Sequence, residues 1–316
     1  MISRPVRTVP LGGTVSRRCS LLLALMLLAT ASVWAAPSVV VIKSKDIQPY
    51  DQALEGFKQV CTAQVAEYTL GDSESSEREI LRGVSKPRTK LILAIGSPAL
   101  KFAADEFRDI PIIASVVVDM SGVADRAEHV RGATLKVPPK RQFEALLEIA
   151  PRVKRIGVVF DPAKTGQIVE EAAVHASDLG LELVSREVRS TADVARAWRE
   201  IQDDIDAIWM VPDTTTLTDE SFQYMLTISQ KRNAPLLAIS GKYVSKGALL
   251  AQAADYRDVG RQAAEMANEV LRGKNLSLIQ STTVRSPKLI LNTRTAELIG
   301  LSIPKEVMER ATQVYE

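Results

Sequence analysis

Short apolar segments alternate with helical patterns along most of this 316-residue chain, and this alternation limits its possible folds more than any other feature. The apolar segments are typical of strands buried on both faces of a parallel sheet. The patterns between them place apolar residues along one face of a helix. Parallel strands joined in this way form right-handed βαβ units with helices on both faces of the sheet. The sequence therefore predicts an α/β protein built from doubly wound parallel sheets.

The alternation runs through the chain twice, which is compatible with a length beyond what one small core usually holds. Strands are predicted over 38–42, 65–70, 91–95 and 110–118, and again, after Pro138-Pro139, over 155–160, 181–188, 207–211 and 235–239. We therefore predict two doubly wound parallel-sheet lobes joined by a hinge. Lobe one is assigned to 36–137 and completed by about 256–280, and lobe two to 138–255 and completed by about 281–316.

The first 35 residues have the pattern of a secretory signal peptide. Four arginines precede an apolar core over 21–28, and Val33 and Ala35 stand three and one positions before a cleavage site. The apolar core is shorter than the roughly 20 residues that a transmembrane helix needs. We therefore expect cleavage near Ala35, export and a periplasmic location.

The composition of the remaining chain argues against several classes of function. Removing the four arginines of the signal peptide from 40 basic residues leaves 36 against 38 acidic ones, so a basic surface for nucleic acid is not expected. Cys61 remains without a partner for a disulfide, and its apolar helix face indicates a core residue. His129 and His175 have no cysteine nearby to complete a zinc site. The chain has no nucleophile elbow, P-loop or dinucleotide motif, so neither enzymatic activity nor a cofactor is expected.

The segment LILAIGSPAL, residues 91–100, joins a buried strand to the start of a helix. Ser97 is suited to cap this helix, and Pro98 to its first position, because proline has no N–H to leave unpaired. Ligands of open α/β sheets bind at the carboxyl ends of the strands, where a helix N-terminus attracts anions. Gly96, Ser97 and Pro98 are therefore candidate ligand residues. The alternative is a strand-to-helix turn that binds nothing.

Other polar residues are predicted at the same ends of strands in both halves of the chain. Two lobes that face each other across a cleft would clamp a small molecule. Tyr50 could stack on a ligand, as could Tyr256, although simple packing is the alternative for both. The acidic residues could pair as acid and base, but hydrogen bonds to a ligand or to neighbouring loops are favoured. The further candidates are Ser44, Tyr50, Asp119, Asp161, Thr165, Asp213, Thr214 and Ser240.

Several segments resemble one protein family in their order and spacing. They are AIGSPA (94–99), IAPRVKRIGVVFDP (149–162), Gly247-Ala248-Leu249 followed by Asp255-Tyr256, GRQAA (260–264), LRGK (271–274) and LNTRTAELIGLSIP (291–304). The chain thereby resembles the substrate-binding proteins of ABC transporters, in the group that includes binders of tryptophan and other aromatic amino acids. This resemblance implies a type I periplasmic-binding fold with three hinge crossings and closure on the ligand. It also implies that the 96–98 turn receives the ligand, commonly through its carboxylate, and that Asp213 and Thr214 face the same cleft.

Two loops depart from the pattern of that family. Such proteins often read D-P-V and then N-V-T-G, where this chain has Asp119-Met120-Ser121 and His129-Val130-Arg131-Gly132. We expect both loops to border the cleft. The departure is compatible with an unusual ligand or with a partner other than a standard permease.

These observations lead to three hypotheses for the function. The first is the periplasmic substrate-binding component of an ABC importer, a monomer that clamps a small carboxylate-bearing solute such as an amino acid and meets the permease transmembrane subunits. The second is a periplasmic ligand-sensing protein that signals to a membrane partner without feeding transport. The third is a periplasmic enzyme, for which the sequence offers no catalytic motif.

Overall fold

The protein is described by a computed structural model that covers residues 38–316 except 72, 85–86, 119 and 125–126. The predicted signal peptide lies outside these residues. Within the described part of the chain, none of the helices has the length and apolar character that crossing a membrane requires.

Five parallel strands form the first sheet, in the order β2-β1-β3-β4-β5. Its elements are β1 (Val39–Lys43), α1 (Gln48–Val60), β2 (Val65–Thr69), α2 (Glu74–Gly83), β3 (Leu91–Ile95), α3 (Ser97–Glu106), β4 (Ile112–Val117), α4 (Ser121–Ala124) and β5 (Val130–Thr134). All five residues of β3 are buried because helices cover both faces. Leu91 and Leu93 pack with Phe57 of α1, whereas Ile92 and Ala94 pack with Leu100 of α3.

Seven strands form the second sheet, in the order β12-β11-β10-β9-β8-β6-β7. Its elements are α5 (Pro139–Ile149), β6 (Arg155–Phe160), α6 (Pro162–Asp178), β7 (Glu182–Glu187), α7 (Thr191–Ile201), β8 (Ala207–Trp209), α8 (Asp219–Arg232), β9 (Leu236–Ala238), α9 (Gly241–Val244), β10 (Leu250–Ala253), β11 (Lys288–Asn292), α11 (Thr293–Leu298), α12 (Lys305–Arg310) and β12 (Ala311–Tyr315). The strands from β7 to β10 are parallel. β11 runs antiparallel to β10, and β12 runs parallel to β11. The predicted α/β class with two parallel-strand sheets is confirmed.

The chain crosses between the two sheets three times. The first crossing follows β5, and the second leads from β10 into α10 (Tyr256–Leu271), which packs on the first sheet. The third follows a 3₁₀ turn (Leu276–Leu278) and enters β11. Thr282, in the third crossing, pairs with β5, because its N–H donates to the Gly132 carbonyl at 2.9 Å. The residue boundaries of the two lobes stay a prediction.

Two glycines allow α10 to lie directly against α1. A Cβ at Gly260 would stand 1.9 Å from the carbonyl oxygen of Ala53, and one at Gly56 would stand 1.9 Å from that of Arg257. A side chain at either position would therefore push the two backbones apart. The pairing places Val259 of α10 in the same core as the first sheet.

An ion-pair network joins α10 to the third crossing. The Arg285 guanidinium donates to the half-exposed carboxylate of Glu265 and, at 3.0 Å, to the nearly buried carboxylate of Asp258. Burial alone would raise the pKa of Asp258, but its contacts with Arg285 and Arg261 outweigh burial and lower that pKa below its usual value. The Asp258 carboxylate therefore stays charged, and it links two segments that connect the lobes.

Candidate ligand-binding cleft

The candidate residues of the first lobe meet at the N-terminus of α3. Gly96 is the N-cap of this helix, so the predicted cap at Ser97 is wrong by one position. Gly96 has φ +90°, which side chains rarely adopt, and a Cβ there would lie 2.5 Å from the Tyr50 hydroxyl and 2.6 Å from Ser44 Oγ. Both the backbone conformation and the crowding therefore require glycine at this turn.

Ser44 already uses one of the N–H groups that α3 leaves free at its start. Its buried hydroxyl accepts a hydrogen bond from the Ala99 N–H at 2.9 Å and donates to the Ile95 carbonyl at 3.0 Å. Ser97 and Pro98 are exposed beside it. The Ser97 hydroxyl makes no hydrogen bond among the described residues, and its contact with a ligand stays a prediction.

Three candidates of the second lobe form one hydrogen-bonded cluster. Asp213, which has no exposed surface, accepts through Oδ2 from the Asp161 N–H and the Thr165 hydroxyl, each at 2.7 Å. Its Oδ1 accepts from the Thr215 N–H at 2.8 Å. Asp161 is the N-cap of α6 and accepts from the Thr215 hydroxyl at 2.8 Å and from the Ala163 N–H at 3.0 Å. These contacts, the Thr215 hydroxyl first, lower the pKa of the Asp161 carboxyl.

This cluster joins the loop after β6 to the loop after β8. Both oxygens of Asp213 are occupied by groups of the protein itself, so the carboxylate holds the loops in place. Thr214 is exposed next to it. Contact of these residues with a ligand stays a prediction, as it does for Asp119, which lies outside the described residues.

A cavity of about 210 Å³ lies beside the crossings, lined by residues of both lobes. Its wall is mostly apolar and includes Val118, Leu135, Trp209, Met210, Ile239 and Tyr256. Besides the indole N–H of Trp209 and the hydroxyl of Tyr256, the polar side chains of the lining residues are those of Lys136, Gln142, Ser240 and Gln252. Ser240 is the predicted site residue that lies on this wall. Tyr256, the sequence-based candidate for stacking on a ligand, also lines the cavity.

The Trp209 ring is fixed in the cavity wall by its neighbours. Its indole N–H donates to Gln142 Oε1 at 2.9 Å, and the Phe143 ring meets it edge-on with centroids 5.1 Å apart. The Gln142 Nε2 group donates in turn to the Val137 carbonyl at 2.8 Å. The oxygen and the nitrogen of the Gln142 amide therefore each make a hydrogen bond, and Trp209 presents a rigid aromatic surface to the cavity.

The end of β4 places Val118 at the same cavity. The pairing of β4 with β5 shifts between Ser115 and Val117, and Val116 has φ +56°. This left-handed conformation is strained for a β-branched residue, and such strain concentrates at functional sites. Val118 follows with 46% of its surface exposed, although it is a large apolar residue.

The polar groups of Lys136 and Gln252 differ in how they are satisfied. The Lys136 ammonium pairs with Glu171 of α6, so its charge is balanced. Gln252 Oε1, by contrast, is buried and accepts no hydrogen bond within the described chain. The sequence analysis missed Gln252, Gln142 and Trp209. A signal for Gln252 was present, because one amide interrupts the small apolar run LLAQAA, residues 249–254.

One loop that departs from the family pattern lies away from the cleft, so the expectation that both border it is wrong for His129. This residue directly precedes β5, at the amino end of the strand, whereas Ser44 and Gly96 follow the carboxyl ends of parallel neighbours. Burial first and the charge of Arg108 second lower the pKa of His129. Among the described residues, no group of three or more His, Cys, Asp or Glu could hold a metal ion.

Two α/β lobes with a cleft at the carboxyl ends of their strands define a type I periplasmic-binding fold. The family model described as ABC transporter substrate binding protein matches residues 53–315. The chain belongs to this family, and the resemblance found in its motifs is confirmed. Its relatives are substrate-binding proteins, and the chain is accordingly not an enzyme.

Known relatives share this organisation. The tyrosine-binding protein of Clostridioides difficile (strain R20291) is 27% identical over 219 residues, which span 67% of this chain and 63% of that relative. An ABC domain from Streptococcus pneumonia, solved in complex with L-Trp, has a TM-score of 0.59 at 22% identity and covers 87% of this chain and 98% of its own. The ligand-free, open form of a substrate binding protein with adhesive properties from Clostridium difficile has a TM-score of 0.71 at 20% identity. The match covers 89% of this chain and 99% of that protein. These structures show the fold.

Proposed function

We propose that this chain is the periplasmic substrate-binding component of an ABC importer and that it closes its two lobes on an amino acid. The observation that carries this proposal is the cavity between the lobes, with its apolar wall and few polar groups. This combination is typical of sites for small molecules, in which the polar groups fix orientation. Family membership supports the transport role, and the predicted cleavage near Ala35 supports the periplasmic location.

The cavity favours an aromatic side chain. Its volume of about 210 Å³ lies below the roughly 300–1,000 Å³ usual for pockets that enclose whole ligands. A cavity of this size suits part of a ligand, such as one large side chain. Trp209 and Tyr256 supply ring surfaces on its wall. The C. difficile relative, named as tyrosine-binding, supports the same class of ligand.

The ligand carboxylate is assigned to the N-terminus of α3. The exposed Ser97 offers a hydroxyl beside a helix end that carries partial positive charge. Ser44 and Tyr50 pack around Gly96 and hold the turn in shape. In this arrangement the carboxylate contacts lobe one and the side chain enters the cavity, so both lobes bind one molecule and a permease would meet the closed form.

Binding is tested by thermal shift and calorimetry on residues 36–316 with L-Tyr, L-Trp, L-Phe, L-Leu and L-Glu. Tyramine, which lacks the carboxylate, is the matched control ligand for L-Tyr. A ligand present at about 100 times its Kd adds about 2.7 kcal/mol to the free energy of unfolding, which gives a measurable shift. We expect aromatic amino acids to bind and tyramine to bind far more weakly. Absence of binding by all five amino acids would overturn the proposal.

A pair of tryptophan variants tests the location of the site. Trp209 lines the cavity, whereas Trp198 of α7 is equally buried in another core of the same lobe. Trp209→Phe should weaken binding of the aromatic ligand, and Trp198→Phe should leave its affinity unchanged. Equal affinity of both variants and the wild type would place the ligand elsewhere.

Transport is separated from sensing in cells that lack this chain. Loss of uptake of the identified ligand, restored by the wild-type gene, supports the importer. Unchanged uptake together with tight binding in vitro would favour the alternative of a ligand sensor that signals to a membrane partner.

A further inference from the structure

We propose that Gln252 selects a ligand whose aromatic side chain carries a hydrogen-bond donor, a phenol hydroxyl or an indole N–H, over a purely apolar ring of the same size. This inference rests on the proposed function, because it assumes that the cavity receives the ligand side chain. It adds a residue that determines specificity and a chemical criterion for the preferred ligand.

The inference starts from the unpartnered amide oxygen of Gln252. The residue lies on β10, opposite Leu289 of β11, in a run of small apolar residues. Its Oε1 atom is buried and accepts no hydrogen bond from the described residues. An acceptor withdrawn from water without a donor destabilises a folded protein, so its presence at a cavity calls for an external donor.

Three of the neighbouring donors are committed to other partners. The Trp209 indole N–H donates to Gln142, and a Gln142 amide N–H donates to Val137. The Lys136 ammonium pairs with Glu171. The Ser240 and Tyr256 hydroxyls also line the cavity, but neither donates to Gln252 Oε1, which is left as an acceptor for the ligand.

The other buried polar atoms without partners lie elsewhere. Those on Ser115, His129, His175, Ser229 and Thr282 belong to residues that do not line this cavity. Gln252 is thus the residue at which an unpartnered buried acceptor and the ligand cavity coincide within the described chain.

The apolar surroundings make this acceptor discriminating. Val118, Leu135 and Ile239 form much of the wall and offer no donor that could replace a missing ligand donor. A site built to hydrogen-bond a ligand group rejects the analogue that lacks it much more strongly than an apolar pocket rejects a missing methylene. The acceptor therefore separates tyrosine from phenylalanine, while Trp209 and Tyr256 contact both rings alike.

The test compares L-Tyr with 4-fluoro-L-phenylalanine, which has nearly the same shape but no donor. For the wild type we expect calorimetry to give a Kd for L-Tyr roughly tenfold or more below that for the fluoro analogue. Gln252→Leu should remove this preference and bring the ratio of the two Kd values near one. Gln64→Leu, an exposed glutamine of the first lobe, is the matched control and should keep the wild-type ratio.

Two results would overturn the inference while leaving the proposed function intact. One is a wild type that binds both ligands equally tightly, which needs no variant and is independent of folding defects. The other is a Gln252→Leu protein that loses affinity for both ligands in parallel. If Gln252→Leu does not fold, Gln252→Glu retains an acceptor of the same length and should keep the preference for L-Tyr. Failure of the wild type to bind any aromatic amino acid would instead overturn the proposed function.

Discussion

Replacing Asp213 with asparagine distinguishes a loop-fixing role from a ligand-contacting one. The carboxylate accepts four hydrogen bonds: two through Oδ2, from the Asp161 N–H and the Thr165 hydroxyl, and two through Oδ1, from the N–H groups of Thr215 and Thr216. Asparagine keeps one oxygen, and its amide nitrogen can take the Oδ2 position, where the Thr165 hydroxyl can rotate to accept but the Asp161 N–H cannot. One bond to a charged acceptor is then lost, which contributes about 1.5–3 kcal/mol. Because Asp213 is fully buried, water cannot replace it.

We therefore expect Asp213→Asn to lower the free energy of unfolding by about 1.5–3 kcal/mol. Urea denaturation of residues 36–316 followed by tryptophan fluorescence is a suitable assay, because this part of the chain lacks Trp34 and keeps Trp198 and Trp209, both in the second lobe. Thr214→Ala, at the exposed neighbour, is the matched control and should change stability by no more than about 0.5 kcal/mol. A loss below about 1 kcal/mol for Asp213→Asn would refute the loop-fixing role. Wild-type stability with abolished binding would show instead that the carboxylate contacts the ligand.

Two further predictions concern the joints of the molecule. Gly260→Ala should destabilise the protein by about 3 kcal/mol, because the new Cβ would lie 1.9 Å from the Ala53 carbonyl oxygen. Gly166→Ala, in an open part of α6, should stabilise it by up to about 1 kcal/mol, and equal effects of the two changes on the urea midpoint would contradict this reasoning. The pKa of Asp258 is lowered because its contacts with Arg285 and Arg261 outweigh its burial. Its contribution to the free energy of unfolding is therefore present above about pH 3.9, the unfolded-state pKa, and is lost as the pH falls through the lower folded-state pKa. The stability difference between wild type and Asp258→Asn, followed by circular dichroism from pH 7 to 3, should shrink below pH 4, and a constant difference would contradict the assignment.

Much of the fold could be predicted because its signals are local. Each apolar run buried on both faces, such as Leu91–Ile95, is followed by a helix with one apolar face, and this pattern leaves few topologies other than stacked βαβ units. The antiparallel direction of β11 and the final strand β12 were missed. Their direction depends on where the chain re-enters the second sheet after α10, and no short sequence pattern records that.

The site was predictable in position but less so in composition. The turn at Gly96 was found because glycine, serine and proline have strong local preferences, although the positive φ of Gly96 moved the cap by one residue. Trp209 was missed because strands of a doubly covered sheet are apolar on both faces. Gln252 interrupts an apolar run, but the sequence does not show which residues of a strand face the cleft. The proximity of Trp209 and Gln252 arises from strands far apart in the chain.

The late position of α10 has a consequence for how the protein is made. This helix completes the apolar core of the first sheet, and the side chain of Asn268 bonds to Thr62, 206 residues earlier. Contacts between such distant parts of a chain form slowly, because a long loop must close before they contribute. The first lobe therefore cannot finish folding until the ribosome has released nearly the whole polypeptide.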